Sequence, residues 1–406
     1  MNTMKLTSIA LITIALFFSL QLVAQDEEKE QKEEKKAFEF TDVINVKNTS
    51  VKNQYRSGTC WSFSGVAFVE AELLRMTGKE YDLSEMFFVN HTYSDRATKY
   101  VRMNGQLNFG GGAEVTDVFR VIKLYGLVPE TAYPGLEYGE PKHTHGELDI
   151  LLKSYVGAVI KNKNKKLTPV WHDGFDKILS TYLGELPENF EYDGIDYTPM
   201  SFVESTGFKV DDYIEMTSYS HRPYYEQFIM EIPDNWLWSS IYNVQLDEMM
   251  NTIDNALENG YTVNWGADVS DKGFAWKKGV AIIPAEEKPD LSGTEKEKWE
   301  SLTTKEKKKA MYAFEGPVEE KVITPELRQE YYDNYMVTDD HGMLIVGTAV
   351  DQEGNKFYKI KNSWGTEGHI YGGYFYASKA FVQLQTIGIA VHKDAVPKKL
   401  SKKLGL

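Results

Sequence analysis

Gln54-Tyr55-Arg56-Ser57-Gly58-Thr59-Cys60-Trp61-Ser62-Phe63 holds the only cysteine of a 406-residue chain, with a glutamine six residues before it. Arg56 to Thr59 reads as a loop. Trp61 to Thr77 reads as a helix, with Val66, Val69 and Leu73 on one stripe and Gly78 as its stop. The thiol is therefore expected in the first helical turn, at the positive end of the helix dipole. A free thiol, with a pKa of about 8.5, is mostly protonated at neutral pH, and a helix N-terminus or a neighbouring imidazolium favours the thiolate.

Far downstream stand His341, in Asp339-Asp340-His341-Gly342-Met343, and Asn362, in Lys361-Asn362-Ser363-Trp364-Gly365. The imidazole can pair with a thiolate and later protonate a leaving amine. Asn362 can accept from the other ring nitrogen and hold the ring in place. Gln54 can direct its amide at a developing oxyanion, joined by the Cys60 backbone N–H. A lone cysteine is most often a buried small hydrophobe; the Gln, His and Asn partners favour the catalytic reading. Asp339-Asp340-His341 has no second histidine at ligand spacing, so neither a metal nor another cofactor is expected. His143 and His145, flanking a threonine in a polar stretch, read as solvated loop residues.

At Gln54…Cys60-Trp61 and Asn362-Ser363-Trp364-Gly365 the chain resembles the papain superfamily of cysteine peptidases. The resemblance implies an α+β fold of two lobes, a helical one carrying Cys60 and a β-rich one carrying His341 and Asn362, with Trp364 shielding the Asn–His bond from water. Papain-like enzymes place the histidine about 130–150 residues after the cysteine. Here the separation is 281 positions, so a large, mostly helical insertion is expected before His341.

The branch it resembles is bleomycin hydrolase/aminopeptidase C. Matching pieces run from Asn53-Gln54 through Arg75, then Asp82-Leu83-Ser84-Glu85 and Phe109-Gly110-Gly111-Gly112-Ala113-Glu114. Tyr125 to Pro129, Val263 to Val269 and His341 to Tyr376 also match. Gly342 stands where alanine is common. The resemblance implies cleavage of peptide substrates through an acyl-enzyme on Cys60, with Gly110, Gly111 and Gly112 bonding the substrate main chain. From the residues alone these glycines could equally be the loop that begins the next helix. The resemblance also implies a C-terminal end lying in the cleft. The Leu406 carboxylate would meet the substrate ammonium there, giving an aminopeptidase of short peptides, and the enzyme would be a homo-oligomer, a hexamer. The actual end, Lys402-Lys403-Leu404-Gly405-Leu406, does not closely match the short Ala-rich ends of that family. Two rivals stay open: an open-cleft endopeptidase with the same chemistry, and a catalytically idle binding or assembly protein on the same scaffold. The intact Gln54, Cys60, His341 and Asn362 speak against the second.

Met1 to Ala24 reads as a secretory signal peptide, with Lys5 ahead of an apolar Ile9–Val23 and Ala24 before a polar run. An uncleaved membrane anchor is the alternative, and no cysteine follows that could carry a lipoprotein thioether. The expected location is periplasmic or extracellular, with no membrane contact after cleavage. The net charge of −15 becomes −16 without Lys5, which argues against nucleic acid as a partner. One cysteine allows no intramolecular disulfide, so packing must hold the fold. An apolar content of 42 % suffices for ordinary cores.

Along the chain we expect a charged linker at 25–36, the helical catalytic lobe at 37–140, an insertion lobe at 141–255, the β-rich catalytic lobe at 256–392 and a basic tail at 393–406. Helices are expected at Val115–Leu124, Leu148–Tyr155, Phe175–Leu183 and Thr294–Tyr312. Strands are expected at Thr262–Val269, Met343–Ala349, Lys356–Asn362 and Gly373–Ala377.

Overall fold

A computed structural model describes residues 38–164, 166–285 and 300–406. The expected signal peptide and charged linker lie outside these residues. Among the described residues the helices are α1 (Cys60–Thr77), α2 (Glu85–Arg102), α3 (Val115–Tyr125), α4 (Gly146–Ile160), α5 (Trp171–Leu183), α6 (Pro199–Thr206), α7 (Leu246–Glu258), α8 (Thr304–Met311), α9 (Pro325–Asp333), α10 (Lys379–Gln385) and α11 (Lys398–Leu404). The strands are β1 (Thr41–Asn45), a hairpin of β2 (Phe190–Tyr192) and β3 (Ile195–Tyr197), β4 (Tyr213–Thr217), β5 (Gln227–Ile229), β6 (Ser240–Asn243), β7 (Val263–Ala267), β8 (Phe274–Ala275), β9 (Val280–Ala281), β10 (His341–Val350), β11 (Lys356–Lys361), β12 (Tyr374–Ser378) and β13 (Thr386–His392).

One sheet of eleven strands, in the order β5-β6-β4-β13-β7-β10-β11-β12-β9-β8 with β1 also on β10, divides two hydrophobic cores. The alternation of β10 sorts its side chains between them. Leu344 and Val346 join the helical core, and Met343 and Ile345 join the core on the opposite face. On the helical side, α1 buries Val66, Val69 and Leu73 completely and ends where Gly78 turns left-handed at φ 72°. Gly65 lets α1 meet α3 closely: a Cβ there would stand 2.6 Å from Val118 Cγ2. Val118, Val121 and Ile122 of α3 point inward, as the sequence pattern requires.

The stretch 141–255 contributes to both cores. Its helices α4 and α5 bury Leu148, Leu152, Val156, Phe175 and Leu179 in the helical core. Its strands β4 to β6 extend the main sheet, because β4 pairs antiparallel with β13. The insertion expected there is mostly helical, and it also adds three strands to the main sheet. The tail also differs from expectation. Residues 398–404 form α11, whose Leu400 and Leu404 are buried in the core on the far face of the sheet. Lys403 reaches Glu248 of α7 at 2.5 Å and the Tyr225 hydroxyl at 2.9 Å.

Candidate active site

The cleft between α1 and the sheet is lined by Gln54, Cys60, His341 and Trp364, and encloses about 320 Å³. Cys60 is the first residue of α1, partly open to the cleft. No side chain caps the helix start, so the early N–H groups of α1 remain directed at the thiol end. His341 begins β10 and pairs across the ladder with Ala267 of β7. Its Nε2 lies 2.7 Å from Asn362 Oδ1, which leaves Nδ1 for the sulfur. Trp364 covers this bond, with ring centroids 4.8 Å apart.

Asn362-Ser363-Trp364 serves two neighbours, the His341 imidazole and Gln54. Asn362 fixes the imidazole, and Trp364 shields it. Ser363 Oγ donates to Gln54 Oε1 at 2.6 Å, while the Gln54 N–H donates to the Ser363 carbonyl at 2.8 Å. With its oxygen held, the Gln54 amide has its N–H bonds free for an oxyanion. The role of Ser363 was not read from the sequence; its adjacency to Asn362 was the available signal.

Gly342 has a steric reason. A Cβ there would meet Ser64 Oγ at 2.5 Å and the Trp61 Cα at 3.3 Å, so glycine lets β10 approach the start of α1. Its N–H, with that of Trp61, bonds the sulfur and lowers the thiol pKa. Burial is the larger influence and pushes Cys60 up to about 12, with Asp339 and Asp234 adding to the rise. Burial likewise pulls His341 down to about 4, against the Asn362 bond. These are the directions for each group ionising alone. A proton passed from Cys60 to His341 creates both charges together, and their attraction offsets the burial. The thiolate expected from the helix dipole therefore depends on the imidazolium formed beside it.

The three glycines divide. Gly110 and Gly111 spend their carbonyls inside the fold, on Arg96 Nη1 at 2.7 Å and Trp61 Nε1 at 2.8 Å. Gly112 alone of the three lines the cleft, where a Cβ would collide with Asp234 Oδ2 at 1.8 Å. Leu406 is not at the cleft: it follows α11 on the other face of the sheet, its N–H bonded to the Ser401 carbonyl. The reason is local, since Leu400 and Leu404 bury on that face and anchor the chain end there.

His143 and His145 are buried, at 8 % and 0 % exposure, which corrects their reading as solvated residues. They sit on a segment that pairs with the Gln54 loop. The Arg56 N–H donates to the His143 carbonyl at 2.9 Å, and the His145 N–H donates to the Arg56 carbonyl at 3.1 Å. Burial lowers the two imidazoles to about 4 and about 3. Behind the site, Lys52 meets Asp82 at 2.7 Å and Glu85 at 2.8 Å and lies 3.5 Å from the buried Glu70, tying the Gln54 segment to α1 and α2.

A cysteine at a helix start, faced across a cleft by a strand-borne His–Asn pair and a glutamine amide, defines a papain-type thiol peptidase. Residues 36–173 match the papain family cysteine proteases, and residues 321–405 match the peptidase C1-like family. Aminopeptidase C of Lactococcus lactis subsp. lactis is 21 % identical, over 86 % of this chain and 82 % of its own length. Aminopeptidase C of Lactobacillus delbrueckii subsp. lactis is 24 % identical, over 88 % and 83 %. The crystal structure of PepW from Lactobacillus rhamnosis HN001 superposes with a TM-score of 0.66 at 19 % identity, covering 91 % of this chain and 85 % of that one. The chain is a papain-type cysteine peptidase, and over most of its length it is similar to aminopeptidase C.

Proposed function

We propose that this cysteine peptidase is an exported aminopeptidase that removes residues from the free N-termini of short peptides. The observation that carries the chemistry is the joint placement of Cys60, His341, Asn362 and Gln54 around one cleft. Cys60 attacks the scissile carbonyl, Gln54 and the Cys60 N–H receive the oxyanion, and His341 protonates the leaving amine. Water then releases the acyl group from sulfur, with the imidazole as base. The aminopeptidase direction is supported by the aminopeptidase C relatives, matched over more than four-fifths of their length. Export is supported by Lys5, the apolar Ile9–Val23 and Ala24. A homo-oligomer, a hexamer, follows from the family resemblance, and light scattering on the purified enzyme tests it.

One observation favours a second reading. Leu406 follows α11 and does not line the cleft, so it does not stop a longer peptide there, as an open-cleft endopeptidase would require. The deciding experiment digests one peptide in free and N-acetylated form and reads the products by mass spectrometry. Survival of the blocked peptide upholds the aminopeptidase; internal cleavage of it establishes the endopeptidase. Export is tested by the N-terminal sequence of the mature protein: a start near Gln25 upholds it, and retention of Met1 sinks it.

A further inference from the structure

The cleft that holds Cys60 is also lined by Gly112, Glu114, Asp234, Asn264 and Asp339, and among the described residues no lysine or arginine lines it. Four parts of the fold bring these side chains together. Glu114 immediately precedes α3, and its N–H is held by Asp117 Oδ2 at 3.1 Å. Asp339 lies two residues before the catalytic histidine. Asp234 comes from the loop after β5, where Asn108 Nδ2 donates to its Oδ1 at 2.6 Å. Asn264 on β7 pairs with Leu344 and Ala390, both of which face the helical side, so its amide is directed into the cleft.

Among the described residues Glu114 and Asp339 make no ion pair. Arg96 and Asn108 temper Asp234. Glu114 and Asp339 are close enough to hydrogen-bond each other, which requires a proton on one of them. Apart from burial, the strongest influences on either come from other carboxyl groups: Asp234, Asp340, Asp268 and Glu215. Burial and this crowding push Asp339 up to about 7 and Glu114 well above the carboxylate range. Asp339 Oδ2 is buried with no hydrogen-bond partner. An independent observation lies beside them. Asn264 is only 5 % exposed, and its Nδ2 has no partner either. A buried amide donor left unpaired costs about 1–3 kcal/mol, so such a group calls for an acceptor.

We propose that Glu114 and Asp339 anchor the α-ammonium of the substrate, while Asn264 donates to a main-chain carbonyl near that ammonium. This rests on the aminopeptidase reading and gives it an anchor other than the C-terminus. The combination of acceptors with one donor selects the ligand. A peptide N-terminus carries an ammonium and, on the same residue, a carbonyl. The end of a lysine side chain carries only the cation. The loop of Asp234, closed over Gly112, forms the wall beyond which a longer N-terminal extension would have to pass. Binding a cation also removes part of the negative field that Asp339 and Asp234 exert on Cys60, so occupancy of this end favours the thiolate.

The test uses full-length enzyme and the variants Glu114→Gln, Asp339→Asn and Asn264→Ala. A cooperative melting transition like that of wild type shows that each variant is folded, and the rate of Cys60 alkylation by iodoacetamide reports a competent site. Substrates are one peptide with a free N-terminus, its N-acetylated form, and an acetylated form with lysine on the acyl side of the scissile bond. Each carboxyl variant should lower the free-over-acetylated ratio of kcat/KM by roughly 10–100-fold, mostly through KM, as expected when one partner of a desolvated charge pair is removed. Asn264→Ala should raise KM for the free peptide and serves as the independent arm should a carboxyl variant lose its labelling. An unchanged ratio in folded variants, with wild type still preferring the free peptide, overturns the anchor and leaves the aminopeptidase standing. Equal cleavage of both forms by wild type fails the aminopeptidase reading itself. If the acetylated lysine peptide is then the better substrate, and loses that advantage in Asp339→Asn, the acids read a basic side chain and the proposal is wrong.

Discussion

At the Cys60 end of the cleft, His341 is bonded to Asn362, Gln54 is bonded to Ser363, and two backbone N–H groups face the sulfur. At the Glu114 end, Glu114 and Asp339 face each other with no ion pair among the described residues, and Asp339 Oδ2 and the Asn264 amide nitrogen have no partner. The difference separates two kinds of work. Groups that move charge during a reaction gain from being fixed beforehand, because no reorganisation is then needed in the transition state. Groups that hold a ligand in both ground and transition state can remain unsatisfied until it arrives. Substitutions at the first end should therefore act on kcat, and those at the second on KM.

The largest effect is expected at Cys60. Cys60→Ala removes the nucleophile and leaves a good helix former in the first turn of α1. Turnover should fall to background with an unchanged melting temperature. His341→Ala should approach it, and Asn362→Ala should cost less, since the asparagine only orients the ring. Comparing kcat/KM for the three variants checks the order; a greater loss at Asn362 than at His341 would reverse the assigned roles.

Gln54→Ala should come next, lowering kcat by roughly 10²–10³-fold with little change in KM, because its amide acts on charge that appears only in the transition state. Ser363→Ala should be milder. It removes one hydrogen bond while the backbone bond to Gln54 remains, so a loss of about 5–10-fold in kcat is expected. Should Ser363→Ala equal Gln54→Ala, the hydroxyl itself acts in the reaction.

Much of the Cys60 end was legible from sequence, because its residues occur in short runs with fixed order: Gln54 to Phe63, and Asn362 to Gly365. The helix of Val66, Val69 and Leu73 and the strands around Met343 and Lys356 announced themselves by period. The Glu114 end was not legible. Glu114 and Asp339 are neighbours only because α3 packs on α1 at Gly65 while β10 is drawn against the start of α1 at Gly342, and no local pattern encodes those approaches. The β13 ladder was missed although Ile387, Ile389 and Val391 alternate, and with it went the sheet portion of the 141–255 stretch. His143 and His145 misled because their flanking residues are polar; the apolar cover comes from Phe63 and Tyr138, the first of them distant in sequence.

Those histidines give a pH test at the Gln54 end. Their folded pKa values, about 4 and about 3, lie below the unfolded value near 6.5. The unfolded chain thus binds protons first as pH falls, and their contribution, fully present above pH 6.5, is lost as pH drops toward 4 and 3. One unit below 6.5 the loss is about 1 kcal/mol per imidazole. The melting temperature of His143→Phe/His145→Phe should therefore fall less between pH 7 and pH 5 than that of wild type. Parallel curves would mean that neither ring stays neutral in the fold. Lys52 also disfavours protonation of His143, and its carboxylate partners Asp82 and Glu85 remain in the variant, so the difference between curves isolates the imidazoles.

The smallest effect on specificity is expected from the chain end, where the family resemblance called for the largest. If Leu406 closed the cleft, deleting residues 398–406 would release activity on acetylated peptides. The packing argues otherwise. Leu400 and Leu404 are 3 % and 8 % exposed in the core on the far face of the sheet, and truncating a buried leucine to alanine costs about 2–5 kcal/mol. The Lys403–Glu248 pair lies at the surface, adds little and fades with salt. Hydrophobic burial therefore holds α11, and high salt should not free it. Leu404→Ala should lower the melting temperature while leaving the free-over-acetylated ratio as in wild type, and deletion of 398–406 should do the same more severely. A rise in cleavage of the acetylated peptide by either variant, with Cys60 still stoichiometrically labelled, would mean that the end of the chain reaches the cleft in solution. The carboxylate at Leu406, rather than the acids at Glu114 and Asp339, would then be the stop that tells a peptide end from its middle.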